Sequence, residues 1–158
     1  MEQSFLEWLQ DTPLAVLVGE SWFPWVESTH VVFLALVAGS ILTVDARLLG
    51  VGMKHLRITQ ISRQLLPLTW IAFAGASITG AMLFMANATG YIHNTPFLIK
   101  MCLLLALGIN MLYFHVITYR SVGNWDIGNP PPPVRVAGLI STVLWLGVIG
   151  FGRWIGFV

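Results

Sequence analysis

The chain has 158 residues, of which 56% are hydrophobic and only 9% charged, with a formal net charge of +1. Soluble domains carry about 25% charged residues, so a soluble fold would lack the polar surface to cover itself. The near-neutral balance also gives no signature of nucleic acid or of an acidic partner. A single cysteine, Cys102, excludes an internal disulfide and any cysteine-based metal cage, and its apolar surroundings mark it as an inert packing residue.

The N-terminus is acidic (Glu2, Glu7) and lacks a basic n-region, so no cleavable signal peptide is expected and the first span serves as its own insertion signal. Phe5, Leu6, Trp8 and Leu9 alternate with Glu7, Gln10 and Asp11. That pattern predicts a short amphipathic helix lying on the membrane surface and ending before Pro13. The run 14–18 is too short to span.

Four apolar stretches follow at about 25–49, 66–86, 96–119 and 136–157. Each supplies the roughly 20 helical residues that a hydrocarbon core of ~30 Å requires. Period-two alternation is absent, which excludes a closed barrel, and lipid cannot satisfy the edge of an open sheet. The expected fold is all-α: an interfacial segment at 1–23 and a transmembrane four-helix bundle at 24–158. Gly50-Val51-Gly52, Gly90 with Asn94-Thr95-Pro96, and the stiff proline run 130–133 form the connections.

Lysine and arginine placement sets the orientation. Arg47, Lys54, Arg57, Arg63, Arg120 and Arg135 flank the first and third connections, six of the eight basic residues. Lys100 and Arg153 fall on the other side with Glu2, Glu7, Asp11, Glu20 and Glu27. The basic side is expected to be cytoplasmic, with both termini periplasmic. Trp22, Trp25, Tyr91 and Trp154 would form one aromatic belt, and Trp70, Tyr119 and Trp125 the other. Ala72, Ala76 and Gly80, and likewise Gly152 and Gly156, recur every four residues and predict close helix contacts.

Ionisable residues within spans suggest function. At ~100° per residue, Glu27 and Asp45 share one angle, with His30 about 60° away; Lys100 and His115 are also about 60° apart. The first and third spans are thus expected to present polar faces to each other. Depth divides the groups into two layers. One holds Glu27, His30, His93, Lys100 and Arg153; the other holds Asp45, Arg47, His55, Arg57 and His115. Neutral imidazoles on facing helices, with cations near the propionates, are what a b-type haem requires. His30 with His93 would ligate one haem, with Lys100 and Arg153 at its propionates. His115 with His55 would ligate a second, with Arg47 and Arg57 at its propionates. His30 and His115 lie too far apart in depth to ligate one iron. The alternative for the same residues is structural: Glu27 paired with Lys100 or Arg153, and Asp45 with Arg47. Asn110 is expected to hydrogen-bond across the bundle. No phosphate loop, His-Glu-x-x-His or nucleophile elbow is present.

Several runs carry a resemblance. They are Pro24 with Glu27 through His30, Asp45-Ala46-Arg47-Leu48-Leu49-Gly50 and Leu66-Pro67-Leu68-Thr69-Trp70. Further along come Thr79-Gly80, Asn94-Thr95-Pro96-Phe97 with Lys100, Asn110 with Phe114-His115, and Gly152-Arg153-Trp154-Ile155. The chain resembles a family of small, mostly uncharacterised four-span bacterial inner-membrane proteins, whose motif histidines match at His30 and His115. More loosely, it is similar to cytochrome b-like subunits that anchor dehydrogenases and pass electrons to quinone.

These readings lead to three expectations. The first is an electron-transfer subunit of a respiratory or redox complex, or a homo-oligomer, holding haem b and interacting with quinone. The second is a cofactor-free accessory subunit of a larger membrane complex. The third is a proton or small-solute carrier using Glu27, His30 and Lys100, against which the lack of an inverted repeat speaks.

Overall fold

A computed structural model describes residues 2–53 and 55–157, with side chains from residue 5 onward. Lys54 and the side chain of Glu2, both used above for orientation, lie outside the described residues. Helices Pro13–Leu48, Ile58–Ala86, Thr95–Asn124 and Pro132–Phe157 are long and apolar enough to cross a bilayer. The described residues contain no strand. The chain is an all-α, multi-pass membrane protein.

The amphipathic N-terminal helix forms over Glu2–Gln10 and stops before Pro13, as its residues predict. The segment beyond it departs from expectation. Thr12 caps a new helix, its hydroxyl accepting from the Ala15 N–H, with Pro13 at the first helical position where its missing N–H costs nothing. That helix runs on into the first span, so the span begins 12 residues before the expected residue 25. Pro24 withholds another N–H, and the wide turn Val18–Trp22 immediately before it lets the helix continue instead of ending. The N-terminal helix is tied back to the second connection, where Gln10 Oε1 accepts from Thr89 N–H at 3.1 Å and from Thr89 Oγ1 at 2.6 Å.

The first span packs along the second and, less extensively, against the fourth; the fourth packs against the third. The third span approaches the second at the terminus side, through the stacked rings of Phe84, Tyr91 and Phe97. Small residues set the closest approach. Ala72 and Ala76 are buried, and a methyl group on Gly75 would fall 2.5 Å from the Phe33 ring. Between the first and fourth spans, a methyl on Gly138 would meet Leu48 Cβ at 3.0 Å and the Asp45 carbonyl at 3.4 Å. Gly156, by contrast, has open space around it. Ser40 and Thr69 hydroxyls bond across the first pair at 2.7 Å, and Asn110 Nδ2 donates to the Ala137 carbonyl at 3.1 Å, joining the third span to the fourth as its sequence suggests.

The mid-membrane core collects Val37, Ala38, Ala72, Leu107, Trp145 and Val148 from all four spans. A second cluster, Leu48, Ile58, Trp125 and Val134, closes the basic side. Trp125 therefore corrects the expected belt. It is buried, and its indole N–H donates to Ser121 Oγ at 3.1 Å. Trp22, Trp25, Trp70 and Trp154 do stand on the surface.

The first connection opens with a helix stop of the glycine type. Gly50, at φ 75°, lets its own N–H reach the Arg47 carbonyl while Val51 N–H reaches Ala46. That turn brings the connection back beneath Arg47.

Candidate functional site

On the terminus side, His30 of the first span lies against the second span. Its Nδ1 is 3.0 Å from Thr79 Oγ1, and Thr79 gives its own hydroxyl proton to the Gly75 carbonyl at 2.7 Å. The imidazole must then donate through Nδ1–H, which leaves Nε2 as an open lone pair. Gly80 makes room for the ring, since a methyl there would sit 3.0 Å from His30 Cε1. Lys100 of the third span is near enough for its charge to act on His30. Its stem crosses Gly152 of the fourth span, with Nζ 3.5 Å from where a methyl would project. Neither a hydrogen bond nor an ion pair engages the Lys100 ammonium among the described residues. His30 and Thr79 thus form a half-buried pair between the first two spans, with Lys100 of the third span near enough to influence it and its stem lying against Gly152 of the fourth.

Glu27 is exposed at the edge of this spot. It faces Tyr91, whose phenol is pushed above its ordinary range by burial and then by the Glu27 carboxylate. Arg153 points outward with its guanidinium 5.4 Å from the Phe157 ring centroid. His93 is exposed in the second connection, and neither a hydrogen bond nor a ring contact joins it to His30 among the described residues.

The other layer is assembled differently. Arg47 is fully buried, at 0% exposure, and donates from Nε to the Leu56 carbonyl (3.1 Å), from Nη1 to Gly128 (3.1 Å) and from Nη2 to Asp126 (3.2 Å). Its planar donors are directed at backbone, binding the first connection to the third. The Asp126 carboxylate in turn accepts from Thr59 N–H and Thr59 Oγ1, both at 2.9 Å, and so caps the second span. Asp126 carried no sequence signal, lying alone in a polar loop; its value comes only from the turn that brings it under Thr59.

His55 and Arg57 are exposed in the first connection. His115 is exposed on the third span, Nδ1 2.9 Å from the Met111 carbonyl of its own helix, with its ring between Phe114 and Tyr119. His115 does not turn inward as its helical phase suggested: it is exposed, within the wide turn Phe114–Thr118 that ends the regular helix. Asp45 is buried between the first and fourth spans and makes no ion pair with Arg47, whose donors are engaged elsewhere. The expected groups meet only in part: Lys100 lies within range of His30 for its charge to be felt, but Glu27 pairs with neither Lys100 nor Arg153 among the described residues, and the first span packs on the second and fourth instead of facing the third. Among the described residues, His55, His93 and His115 are not brought against another histidine, and no group of three metal-ligating His, Cys, Asp or Glu side chains forms.

A shallow groove of about 320 Å³ lies between the third and fourth spans, lined by Asn110, Tyr113, Pro132, Pro133, Val136 and Ala137 among others. It opens sideways and does not reach His30.

No curated protein and no solved structure matches the chain. A family model does, over the full length. The chain belongs, across residues 1–158, to the family of unknown function DUF6644.

Proposed function

We propose that the chain is an electron-transfer subunit of a membrane redox assembly and that its His30–Lys100 spot receives the polar head of a quinone. The observation that carries this reading is the complementarity of the two groups. His30 offers an open Nε2 lone pair and Lys100 an ammonium with no hydrogen-bond or ion-pair partner among the described residues, and both are half-buried. A quinol hydroxyl donates to such an imidazole, and a quinone carbonyl accepts from such an ammonium. Burial in a low-dielectric setting strengthens both bonds. The basic side faces the cytoplasm of a bacterial inner membrane, so the spot lies in the periplasmic leaflet.

Haem b enters the proposal at the two histidines whose Nδ1 is already bonded, because that leaves Nε2 free as an axial ligand requires. At His30 the ring is wedged against Gly80 and Thr79, so a macrocycle there requires the first two spans to separate. His115 faces outward, so a haem on it would lie between this chain and a partner subunit. Arg47 cannot serve propionates while it holds three carbonyls.

The test is photolabelling of the purified protein in mild detergent with a short-chain quinone that carries a photoreactive group. Labelling should map to the first and third spans, be displaced by unmodified quinone, and fall about tenfold on His30→Ala or Lys100→Met. Labelling indifferent to both substitutions would remove the reading. A cofactor-free accessory role is the second reading. It is favoured by the Arg47–Asp126 network, whose contacts all serve to fix the connections.

A further inference from the structure

The carboxylate of Asp45 is an anomaly that the quinone reading leaves unused. It is 4% exposed, near the basic-side end of the first span, and its Oδ2 has no hydrogen-bond partner. A buried charge without a counter-charge is among the costliest arrangements in a membrane bundle. The adjacent cation does not relieve it, because Arg47 turns away to three backbone carbonyls. The groups that do face Asp45 come from the fourth span, the hydroxyls of Ser141 and Thr142. Thr142 gives its proton to the Gly138 carbonyl at 2.9 Å, which leaves its oxygen lone pairs free. Gly138 itself lets the two backbones close to contact, with the Asp45 carbonyl 3.4 Å from where a methyl would project. A buried carboxyl group with one unsatisfied oxygen thus lies at the seam of two helices, with the Ser141 and Thr142 hydroxyls facing it from the fourth span.

We propose that Asp45, Ser141 and Thr142 form an intramembrane site for a monovalent alkali cation, entered from the basic side. The donor set is all oxygen, which suits a hard cation. The charge count selects its valence. One carboxylate among neutral hydroxyls is neutralised by a single positive charge, whereas a divalent ion would leave an uncompensated charge in low dielectric. The site is separate from His30 and Lys100, so it stands or falls independently of the quinone.

The experiment is thermal unfolding of the full chain in detergent, followed by tryptophan fluorescence. Sodium or potassium chloride is titrated against choline chloride at constant ionic strength. The wild type should gain Tm with the alkali ion in a saturable manner, and Asp45→Asn should lose that dependence. Ser141→Ala, which keeps the carboxylate, should raise the half-saturating concentration about tenfold, the usual cost of losing one supporting ligand. This variant decides the matter even if Asp45→Asn fails to fold. Equal Tm in alkali and choline salts for the wild type would overturn the site. So would a Ser141→Ala titration identical to wild type. An infrared carboxylic-acid band lost in Asp45→Asn, at every sodium concentration, would show a proton in the cation's place and overturn it as well.

Discussion

Arg47 and Asp126 hold each other in place without forming an ion pair. The guanidinium takes the Asp126 backbone carbonyl at 3.2 Å, while the Asp126 carboxylate turns away to Thr59. The arginine positions the loop and the loop's side chain caps a different helix, so one contact controls two connections.

Arg47→Met removes three charge-assisted bonds and leaves the carbonyls of Leu56, Asp126 and Gly128 without their donor. Each such bond is worth about 1.5–3 kcal/mol, and the three act as a unit. The expected loss is at least about 3 kcal/mol, read as a large fall in Tm in detergent. An unchanged Tm would mean that water serves those carbonyls equally well.

Asp126→Ala removes only the cap of the second span. The expected cost is about 1 kcal/mol, with the loss confined to the first turn after Arg57. Amide exchange at Thr59 and its neighbours should accelerate while the mid-membrane core stays protected. Acceleration spread evenly along the helix would contradict a capping role.

Gly75→Leu forces a branched side chain into the space of the Phe33 ring, where even a methyl would come within 2.5 Å. Overpacking of this kind costs about 1–3 kcal/mol. Gly156→Leu meets open space and should leave Tm alone. The pair of variants separates a packing glycine from one that only fits the four-residue spacing.

Lys100→Met should keep or raise Tm while quinone labelling falls. The ammonium loses hydration on burial, and among the described residues no bond or ion pair offsets that loss. A methionine of similar length can follow the same path across Gly152. A clear drop in Tm would reveal a structural partner for Lys100 and weaken the binding role.

Much of the architecture was legible because lipid imposes it. Four apolar lengths, the break before Pro13, the small faces at Ala72 and Ala76 and the Asn110 cross-link all follow from sequence. Helical phase set Glu27, His30 and Asp45 on one inward face, yet only Asp45 is buried and His30 half-buried against the second span, while Glu27 stays exposed. The expected start of the first span failed at the wide turn Val18–Trp22, through which the helix continues, and the inward phase expected of His115 is not found at the wide turn Phe114–Thr118. The role of Arg47 was also hidden, since charge and depth alone cannot tell a cation held by backbone from one awaiting a ligand. Trp125 leaves the expected belt because it packs with Leu48, Ile58 and Val134, while its indole N–H is satisfied by Ser121 four residues earlier.

The pairing of first with second span and third with fourth has an assembly consequence. Each pair is a hairpin, and the two meet along the seam at Gly138. Of the three oxygens that receive Arg47, only Leu56 belongs to the first hairpin; Asp126 and Gly128 arrive with the second. The guanidinium is therefore fully satisfied only once the whole chain is in place. A half-built molecule carries an unquenched positive charge at the membrane boundary, a mark of incompleteness that finishing the fold erases.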